Sequence, residues 1–283
     1  MTNTTDPTPA IEAWLAAHPE QAARPLPLTA TVRLAAQTGL PRRAVEIALL
    51  ERGLVLTRYA RNLGTLGSAG QVALLRAHVA IVGAGGLGGW VAEGLCRLGV
   101  GRLRLIDGDV YEDSNLNRQL GCTETTLGQP KAPTLAERLR QVNGAVEVEP
   151  IVARLGAENA VALLEEANVV VDALDNIPSR LELERAARAL GLPLVHGAIA
   201  GWTGQVMTIL PGDAGLEAVY GAKPAHDHGV ETRTGTPAAT PMMVAAWMAQ
   251  ECAKLITGRG ELIAGRLLLF DALYGEAQEV RVD

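Results

Sequence analysis

A glycine-rich turn follows the apolar run that begins at His78, in the stretch HVAIVGAGGLG. Glycine permits a tight turn, and it lets the backbone come close to a phosphate. A helix that begins at such a turn also offers unpaired N–H groups and positive potential to an anion. We therefore predict that this turn binds the phosphates of a nucleotide through Gly83, Gly85, Gly86 and Gly88.

A carboxylate stands at the end of the next apolar run, RLRLIDGD, nineteen residues beyond Gly88. In a nucleotide-binding fold, a carboxylate at this place accepts hydrogen bonds from the ribose hydroxyls. We therefore predict that Asp107 binds the ribose. The glycine turn and Asp107 together predict a nucleotide, but they do not say which one.

The polar stretch DVYEDSNLNRQ, residues 109–119, takes the place of the helix that usually follows the second strand of such a fold. It presents two amides, Asn115 and Asn117, and a guanidinium, Arg118, which is permanently charged and can fork onto phosphate oxygens. Lys131 begins a predicted helix after GQP, where a cation is unfavourable for the helix dipole. We therefore expect Arg118 and Lys131 to face a ligand anion.

Two more polar residues, Asp175 and Asn176, end the apolar run VVVDALDN. The carboxyl ends of parallel strands are where such sheets bind ligands, and a carboxylate there can hold magnesium against a polyphosphate. We therefore predict that Asp175 binds magnesium and that Asn176 contacts the nucleotide. The competing interpretation makes Asp175 a cap of the following helix, although Ser179 is the better candidate for that cap.

Three functions are compatible with this set of residues. Two cations, an acid and amides around one glycine turn fit a triphosphate better than a pyrophosphate diester, which favours an ATP-dependent enzyme. An NAD-dependent oxidoreductase would explain the glycine turn and Asp107, but it would leave Arg118, Lys131 and Asp175 unexplained. A non-catalytic scaffold that binds a nucleotide or a protein tail is the third hypothesis.

Apolar runs and helical periodicity alternate from His78 onward, which predicts a parallel sheet covered by helices. The expected class is α/β, a Rossmann-like, doubly wound, mainly parallel sheet with helices on both faces. Because no helical stretch precedes GQVMTILPG, that end of the sheet is expected to be antiparallel or mixed. The predicted strands are HVAIVGAG, RLRLIDGD, VEVEPIVA, NVVVDALD, LPLVHGAIA, GQVMTILPG and RLLLFDAL, and the predicted helices span 89–98, 131–142, 157–166 and 179–190.

Two further parts of the chain lie outside this alternation. Residues 1–56 predict a small N-terminal helical extension, and residues 57–283 predict the nucleotide-binding domain. The stretch LAAQTGLPRRAVEIALLE in the extension has the spacing of a helix-turn-helix, but an arm that packs on the core is favoured. The long segment 212–236 lacks periodicity and is expected to be functional or disordered.

Composition excludes several classes of function. The 283-residue chain carries a net charge of -6 and 3% aromatic residues, which argues against nucleic-acid and membrane-surface binding. It has no run long enough to span a membrane, and its polar N-terminus does not predict a signal peptide. The three cysteines, Cys96, Cys122 and Cys252, lie far apart, which argues against a disulfide framework, and a cytoplasmic location is expected.

Four motifs in order, GAGGLG, LIDGDVYEDSNLNRQ, GQPKA and DALDN, resemble those of the ThiF/MoeB/HesA adenylyltransferases, relatives of the ubiquitin-activating enzymes. The resemblance covers residues 58 to 283. It implies that Asp107 binds ribose, that Asn115, Arg118 and Lys131 hold ribose and phosphates, and that Asp175 binds Mg²⁺.

The reaction that the resemblance implies is ATP-dependent adenylation of the C-terminal glycine carboxylate of a small ubiquitin-like protein, often a sulfur carrier. The products would be an acyl-adenylate and pyrophosphate. The motif RYARN also matches, and its Arg61 corresponds to an arginine that reaches into the ATP site of the other subunit. A homodimer is therefore implied.

The chain departs from the family in its cysteines. Many members bind a structural zinc with two CxxC pairs, which this sequence lacks, so we predict no zinc site. His226 and His228 are a conceivable pair, but solvated loop histidines are favoured. Cys122 is the only candidate on a loop for a later thioester or persulfide step. We therefore expect the chemistry to stop at the acyl-adenylate.

Overall fold

One sheet organises the part of the chain that the computed structural model describes, which is residues 8–19, 24–221, 226–227, 229 and 231–282. Its strand order is β3-β2-β1-β4-β5-β6-β7-β8. The strands are β1 His78–Val82, β2 Arg102–Ile106, β3 Glu147–Ile151, β4 Val169–Asp172, β5 Leu194–Ala200, β6 Thr203–Ile209, β7 Arg266–Asp271 and β8 Glu276–Arg281.

The first five strands run parallel, and β6, β7 and β8 are added in antiparallel fashion. The central strands β1 and β4 are buried along their whole length. Burial on both faces explains why they read as continuous apolar runs rather than as alternating ones. The antiparallel position predicted for GQVMTILPG is confirmed.

Helices cover both faces of the sheet, and side chains of β1 alternate between the two cores. Val79 and Ile81 pack in one core with residues of α5, α6 and α11, whereas Ala80 and Val82 pack in the other with residues of α7 and α8. The predicted doubly wound class is confirmed. The helices are α1 Thr8–Ala17, α2 Leu28–Thr38, α3 Arg42–Glu51, α4 Leu63–Arg76, α5 Gly86–Leu98, α6 Lys131–Val142, α7 Ala160–Leu164, α8 Ile177–Ala189, α9 Leu216–Tyr220, α10 Glu231–Thr234 and α11 Ala239–Thr257.

The N-terminal helices α1, α2 and α3 form a third apolar cluster, which they share with Tyr59, Val72 and Leu75 from the segment before β1. Helix α3 also contacts the core beside the sheet, because Arg43 donates to the carbonyl oxygen of Gly101, directly before β2, over 2.8 Å. Most of α3 is buried or half-buried, so it is not placed to enter a DNA groove. The extension is therefore an arm packed on the core. The domain boundary after residue 56 stays a prediction.

Two elements differ from the sequence-based expectations. Helix α4 is not among the predicted helices, because three glycines obscure its helical pattern. Gly67 interrupts it with φ at 65°. Strand β8 pairs with β7 at the edge of the sheet and is exposed throughout. An exposed edge strand needs few apolar residues, and its sequence therefore gives no strand pattern. Among the described residues, no helix is both long and apolar enough to cross a membrane.

Candidate active site

A cavity of about 890 Å³ opens beyond the carboxyl ends of β1, β2 and β4. The order of strands reverses between β1 and β4, and a crevice at such a point is the usual ligand site of an open α/β sheet. Eight residues predicted from the sequence line the cavity, namely Gly83, Gly85, Gly86, Asp107, Arg118, Lys131, Asp175 and Asn176. The lining does not include the other four described candidates, Arg61, Gly88, Asn115 and Asn117.

The glycines of the turn have two different structural roles. Gly83 has φ at 97°, and a Cβ there would overlap the carbonyl oxygen of Ala173. A Cβ at Gly88 would overlap the carbonyl oxygen of Gly83, so Gly88 serves the close packing of turn and helix. By contrast, a Cβ at Gly86 would meet Arg118 at an ordinary distance of 3.5 Å. The fold tolerates a side chain there, but the cavity would lose space.

Asp107 holds the glycine turn from the end of β2. Its Oδ2 accepts from the backbone N–H of Ala84 over 2.7 Å, and its Oδ1 accepts from that of Asp109 over 2.8 Å. Each carboxylate oxygen has a second lone pair, so these bonds leave acceptors for a ribose. The residue therefore both fixes the turn and lines the cavity.

The SNLNR segment forms a short 3-10 turn, Asp113–Asn115, that carries Arg118 to the cavity. Asn115 is buried, and its Oδ1 accepts from the backbone N–H of Glu112 over 3.1 Å in a capping box. Arg118 donates through Nη1 to the carbonyl oxygen of Ser114 and to Oδ1 of Asn117, both over 2.8 Å. The two amides thus shape the segment around the guanidinium. Their predicted contact with the nucleotide stays a prediction.

Lys131 is buried at the start of α6 and lines the cavity. Its Nζ lies 3.4 Å from Oδ2 of Asp109, and Oδ1 of the same aspartate accepts from Nη2 of Arg154 over 2.9 Å. Asp109 thus bridges two cations at the wall. Such a pair of cations beside the glycine turn suits a phosphate chain, since both retain donors.

Asp175 and Asn176 form the turn between β4 and α8. Asn176 caps α8, because its Oδ1 accepts from the backbone N–H of Ser179 over 3.0 Å. The expectation that Ser179 is the cap was therefore wrong. The physical reason is that the residue before a proline-containing first turn, here Asn176, adopts extended backbone angles and can reach back to the helix. Asp175 is exposed at the cavity.

The donor set at this wall fits a magnesium ion that is held mainly by substrate. Mg²⁺ commonly takes one or two protein carboxylates, retains several waters and binds the phosphates of a nucleotide. Asp175 offers such a carboxylate across from Lys131 and Arg118. In the described part of the chain, no three His, Cys, Asp or Glu side chains cluster to form a protein-only metal site.

A buried polar network lies beneath the same wall. Nδ1 of His196 donates to Oδ2 of Asp172 over 2.7 Å, and both side chains are inaccessible to solvent. Burial holds the pKa of His196 below its usual value, so its ring is neutral. Burial opposes ionisation of Asp172, but Arg180 and His196 outweigh it and lower the pKa of Asp172. A charged Asp172–Arg180 pair therefore underlies the cavity.

Several residues of the lining were not found from the sequence. Asp109 and Arg154 are common surface types, and Arg180 lies in an ordinary amphipathic helix. Gln119 is more informative, because it is buried, lines the cavity and has an Oε1 without a hydrogen-bond partner among the described residues. Its position directly after Arg118 in the polar stretch was the signal that could have included it.

The remaining candidates lie away from the cavity. Arg61 is exposed in the segment between α3 and α4. Burial raises the pKa of the thiols of Cys96, Cys122 and Cys252, and Cys96 reaches about 12. His226 is exposed, and His228 lies outside the described residues. The absence of zinc stays a prediction.

Sequence comparison finds known proteins that match most of this chain. A SAMP-activating enzyme E1 of Haloferax volcanii is 38% identical over 221 residues, which cover 77% of this chain and 82% of that protein. A sulfur carrier protein adenylyltransferase of Thermus thermophilus is 40% identical over 237 residues, covering 80% and 87%.

Solved structures share the fold. The crystal structure of E. coli MccB with ATP superposes with a TM-score of 0.71 at 22% identity, over 80% of this chain and 72% of that one. The ThiF family model matches residues 59–283. The predicted family is therefore confirmed, and the chain belongs to the ThiF family.

Proposed function

We propose that this chain is an ATP-dependent adenylyltransferase that activates the C-terminal glycine carboxylate of a small ubiquitin-like sulfur-carrier protein. Two relatives that match over 82% and 87% of their own length are named for activating SAMP and for adenylating a sulfur carrier protein, which supports this activity and the enzyme class. The observation that carries the proposal is a single cavity lined by the glycine turn, Asp107, Arg118, Lys131 and Asp175.

The roles of the residues follow from charge and position. In the proposed reaction a carboxylate oxygen of the carrier attacks the α-phosphorus of ATP. The bond from that phosphorus to the bridging oxygen breaks, and its electron pair leaves with pyrophosphate. The glycine turn offers N–H groups to the phosphates, while Arg118 and Lys131 neutralise the charge that develops. No general base is needed, because the nucleophile is already ionised, and positioning supplies much of the acceleration.

Magnesium is the proposed cofactor, and Asp175 is the residue proposed to hold it. When bound, the ion neutralises phosphate charge and favours departure of pyrophosphate. Asp107 is proposed to hold the ribose, with Asn115, Asn117 and Asn176 as further nucleotide contacts. The shared cavity supports the assignments of Asp107, Asp175 and Asn176. The assignments of Asn115 and Asn117 rest on their contacts within the segment that carries Arg118 to the cavity.

The reaction is proposed to end at the acyl-adenylate. A thioester or persulfide step needs a thiolate, and the burial that raises the pKa of all three thiols keeps them protonated at neutral pH. None of the three lines the cavity. A homodimer is also proposed, in which Arg61 completes the partner's site.

Carrier-dependent exchange of radioactive pyrophosphate into ATP tests the proposed function. The substrate would be a small protein ending in Gly-Gly, identified by co-purification with this chain. Exchange that requires both the carrier and Mg²⁺ is expected, and a carrier truncated by its last glycine should support none. Calorimetry with ATP and NAD provides the second arm, in which tighter binding of NAD would contradict the proposal.

A further inference from the structure

The backbone of Leu174, directly before Asp175, is held on both sides. Its N–H donates to Oδ1 of Asp172 over 3.0 Å, and its carbonyl oxygen accepts from Nη2 of Arg180 over 2.5 Å. Asp172 and Arg180 are buried and oppositely charged. The N–H and the carbonyl oxygen belong to the two peptide groups that flank Leu174, so both of its backbone dihedral angles are restrained and the direction of the next residue is fixed.

The same guanidinium reaches a second element. Nη1 of Arg180 donates to Oη of Tyr220 over 3.3 Å, and Oη also accepts from Nε2 of Gln205 over 2.6 Å. Tyr220 ends α9, within the long segment 212–236. A second contact of that segment lies close by, because the N–H of Ile177 donates to the carbonyl oxygen of Asp227 over 2.8 Å.

These contacts place one buried residue between two functional parts of the molecule. Arg180 touches the turn that bears Asp175, and it also touches Tyr220 of α9, which lines the cavity. An arginine can do both because its planar fork presents several donors in fixed directions, which a lysine cannot. Loss of the contact with Leu174 would release the backbone of that residue, and loss of the contact with Tyr220 would release α9. Either loss would leave the opposite charges of Asp172 and Arg180 in place.

We propose that Arg180 is a positioning residue for the metal site: with Asp172 it fixes the Leu174 peptide and hence Asp175, and through Tyr220 it makes that position depend on segment 212–236. The inference rests on the proposed role of Asp175 as the magnesium ligand. A partner that moves α9 would thereby alter the metal site without touching it.

Two conservative variants test this arrangement. Arg180→Lys keeps a cation beside Asp172 but cannot hold both Leu174 and Tyr220, and Tyr220→Phe removes only the phenolic oxygen. The matched controls are Arg185→Lys, which lies on the same helix with its ion pairs at the surface, and Tyr274→Phe, which is exposed in the β7–β8 turn. Unfolding midpoints identify any variant that fails to fold, and Tyr220→Phe retains every charge.

The first readout is binding of Mn²⁺, used as a spectroscopic substitute for Mg²⁺, to the protein loaded with a non-hydrolysable ATP analogue. Arg180→Lys should weaken Mn²⁺ binding by about tenfold, the lower end for the loss of an outer-shell partner. Tyr220→Phe should weaken it by about fivefold, as expected for one hydrogen bond. Affinity for the analogue without metal is measured for each variant, so that Mn²⁺ binding is compared at full loading with the analogue. Both controls should match wild type.

The reference variant is Asp175→Asn, which separates the two proposals. If Asp175→Asn weakens Mn²⁺ binding while Arg180→Lys and Tyr220→Phe do not, the positioning role is wrong and the proposed function stands. If Asp175→Asn leaves Mn²⁺ binding unchanged, the metal role of Asp175 fails and the positioning proposal falls with it. If Mn²⁺ binding weakens in Arg180→Lys but not in Tyr220→Phe, the role of Arg180 is limited to the backbone of Leu174, and the proposed link to α9 is wrong.

Discussion

Gly86 and Gly88 of the glycine turn have different surroundings. Gly86 borders open space in the cavity, where a Cβ would meet only the side chain of Arg118 at 3.5 Å. Gly88 borders the backbone of its own turn, where a Cβ would overlap the carbonyl oxygen of Gly83. The folded chain needs Gly88, whereas we predict that the absence of a side chain at Gly86 serves a ligand.

Alanine at these two positions should therefore give different defects. We expect Gly86→Ala to keep the unfolding midpoint of wild type but to weaken ATP binding by about tenfold or more, since a methyl group would occupy phosphate space. Gly88→Ala should lower the unfolding midpoint, because the turn must shift. Differential scanning fluorimetry with and without ATP measures both. Equal loss of stability in both variants would contradict the assignment of Gly86 to ligand binding.

Asp175 gives a second prediction at the scale of the residue. Asp175→Asn should reduce carrier-dependent pyrophosphate exchange by about 10²–10³-fold, the range seen when one preorganised electrostatic contact is removed. The fold should be unchanged, because the side chain is exposed. Exchange measured across magnesium concentrations provides the test, with Glu124→Gln as an exposed acidic control outside the cavity. Near-wild-type exchange would exclude a metal role.

At this scale, a site residue was predictable where its residue type is unusual for its position in the sequence. A residue whose role depends on contacts with other elements was not predictable. Lys131 was found because a cation at a helix start is unfavourable unless an anion is near. Arg180 gave no such signal, since its burial depends on Asp172 and His196, which lie on two other elements. Long-range pairing of this kind is absent from local sequence patterns.

At the scale of elements, the junction between the N-terminal helices and the core contains a buried polar contact. Oη of Tyr59 donates to Oε2 of Glu46 over 3.1 Å and accepts from Nδ2 of Asn143 over 3.0 Å. The three residues come from α3, the segment before α4 and the end of α6. Burial raises the pKa of the Glu46 carboxyl above its ordinary 4.5, although Arg42 opposes the shift.

The raised pKa predicts a pH dependence of stability. The folded state binds the Glu46 proton more tightly than the unfolded state, so this contribution is fully present below pH 4.5 and is lost as pH rises through the raised pKa. Glu46→Gln keeps the shape but cannot titrate. Urea unfolding from pH 4.5 upward should show wild type losing free energy of unfolding relative to Glu46→Gln.

Glu51→Gln is the matched control on the same helix, where the carboxylate is largely exposed and pairs with Arg76. This variant should not reproduce the relative loss. A difference between wild type and Glu46→Gln that stays constant with pH would contradict the raised pKa.

Elements of the central sheet were predictable because burial on both faces leaves unbroken apolar runs. Helix α6 matches its predicted bounds, since its buried positions recur with helical spacing and proline marks its start. The segment 212–236 was less predictable, because its short helices α9 and α10 are held by contacts with other elements rather than by their own pattern. One such contact is the donation from Asn117 to the carbonyl oxygen of Thr236 over 3.0 Å.

At the scale of the whole molecule, Arg61 leads to a prediction about assembly. It is exposed and lies outside the cavity lining, so it does not serve the site of its own chain in this structure. The family resemblance matches it to an arginine that crosses a two-fold interface, and two-fold dimers are the commonest assembly. We predict a homodimer in which each site receives Arg61 from the other subunit.

Mixing two inactive variants tests shared sites. Arg61→Ala and Lys131→Ala should each abolish exchange, but in a heterodimer both lesions fall in one site and the other site is intact. About half of wild-type activity per heterodimer should then return after subunit exchange. Native mass spectrometry establishes that heterodimers form, and their formation without recovered activity would contradict the shared-site prediction.

The junction around Tyr59 also constrains the order in which the chain can be completed during synthesis. The helices α1 to α3 leave the ribosome before the sheet, yet the amide that satisfies the Tyr59 hydroxyl comes 84 residues later, at Asn143. Until then Glu46 and Tyr59 cannot be enclosed without losing part of their hydrogen bonding, which is costly. The N-terminal helices therefore cannot close as an independent unit on the emerging chain. They must wait for β2 and α6, so this early segment reaches its final packing only after Asn143 has been made.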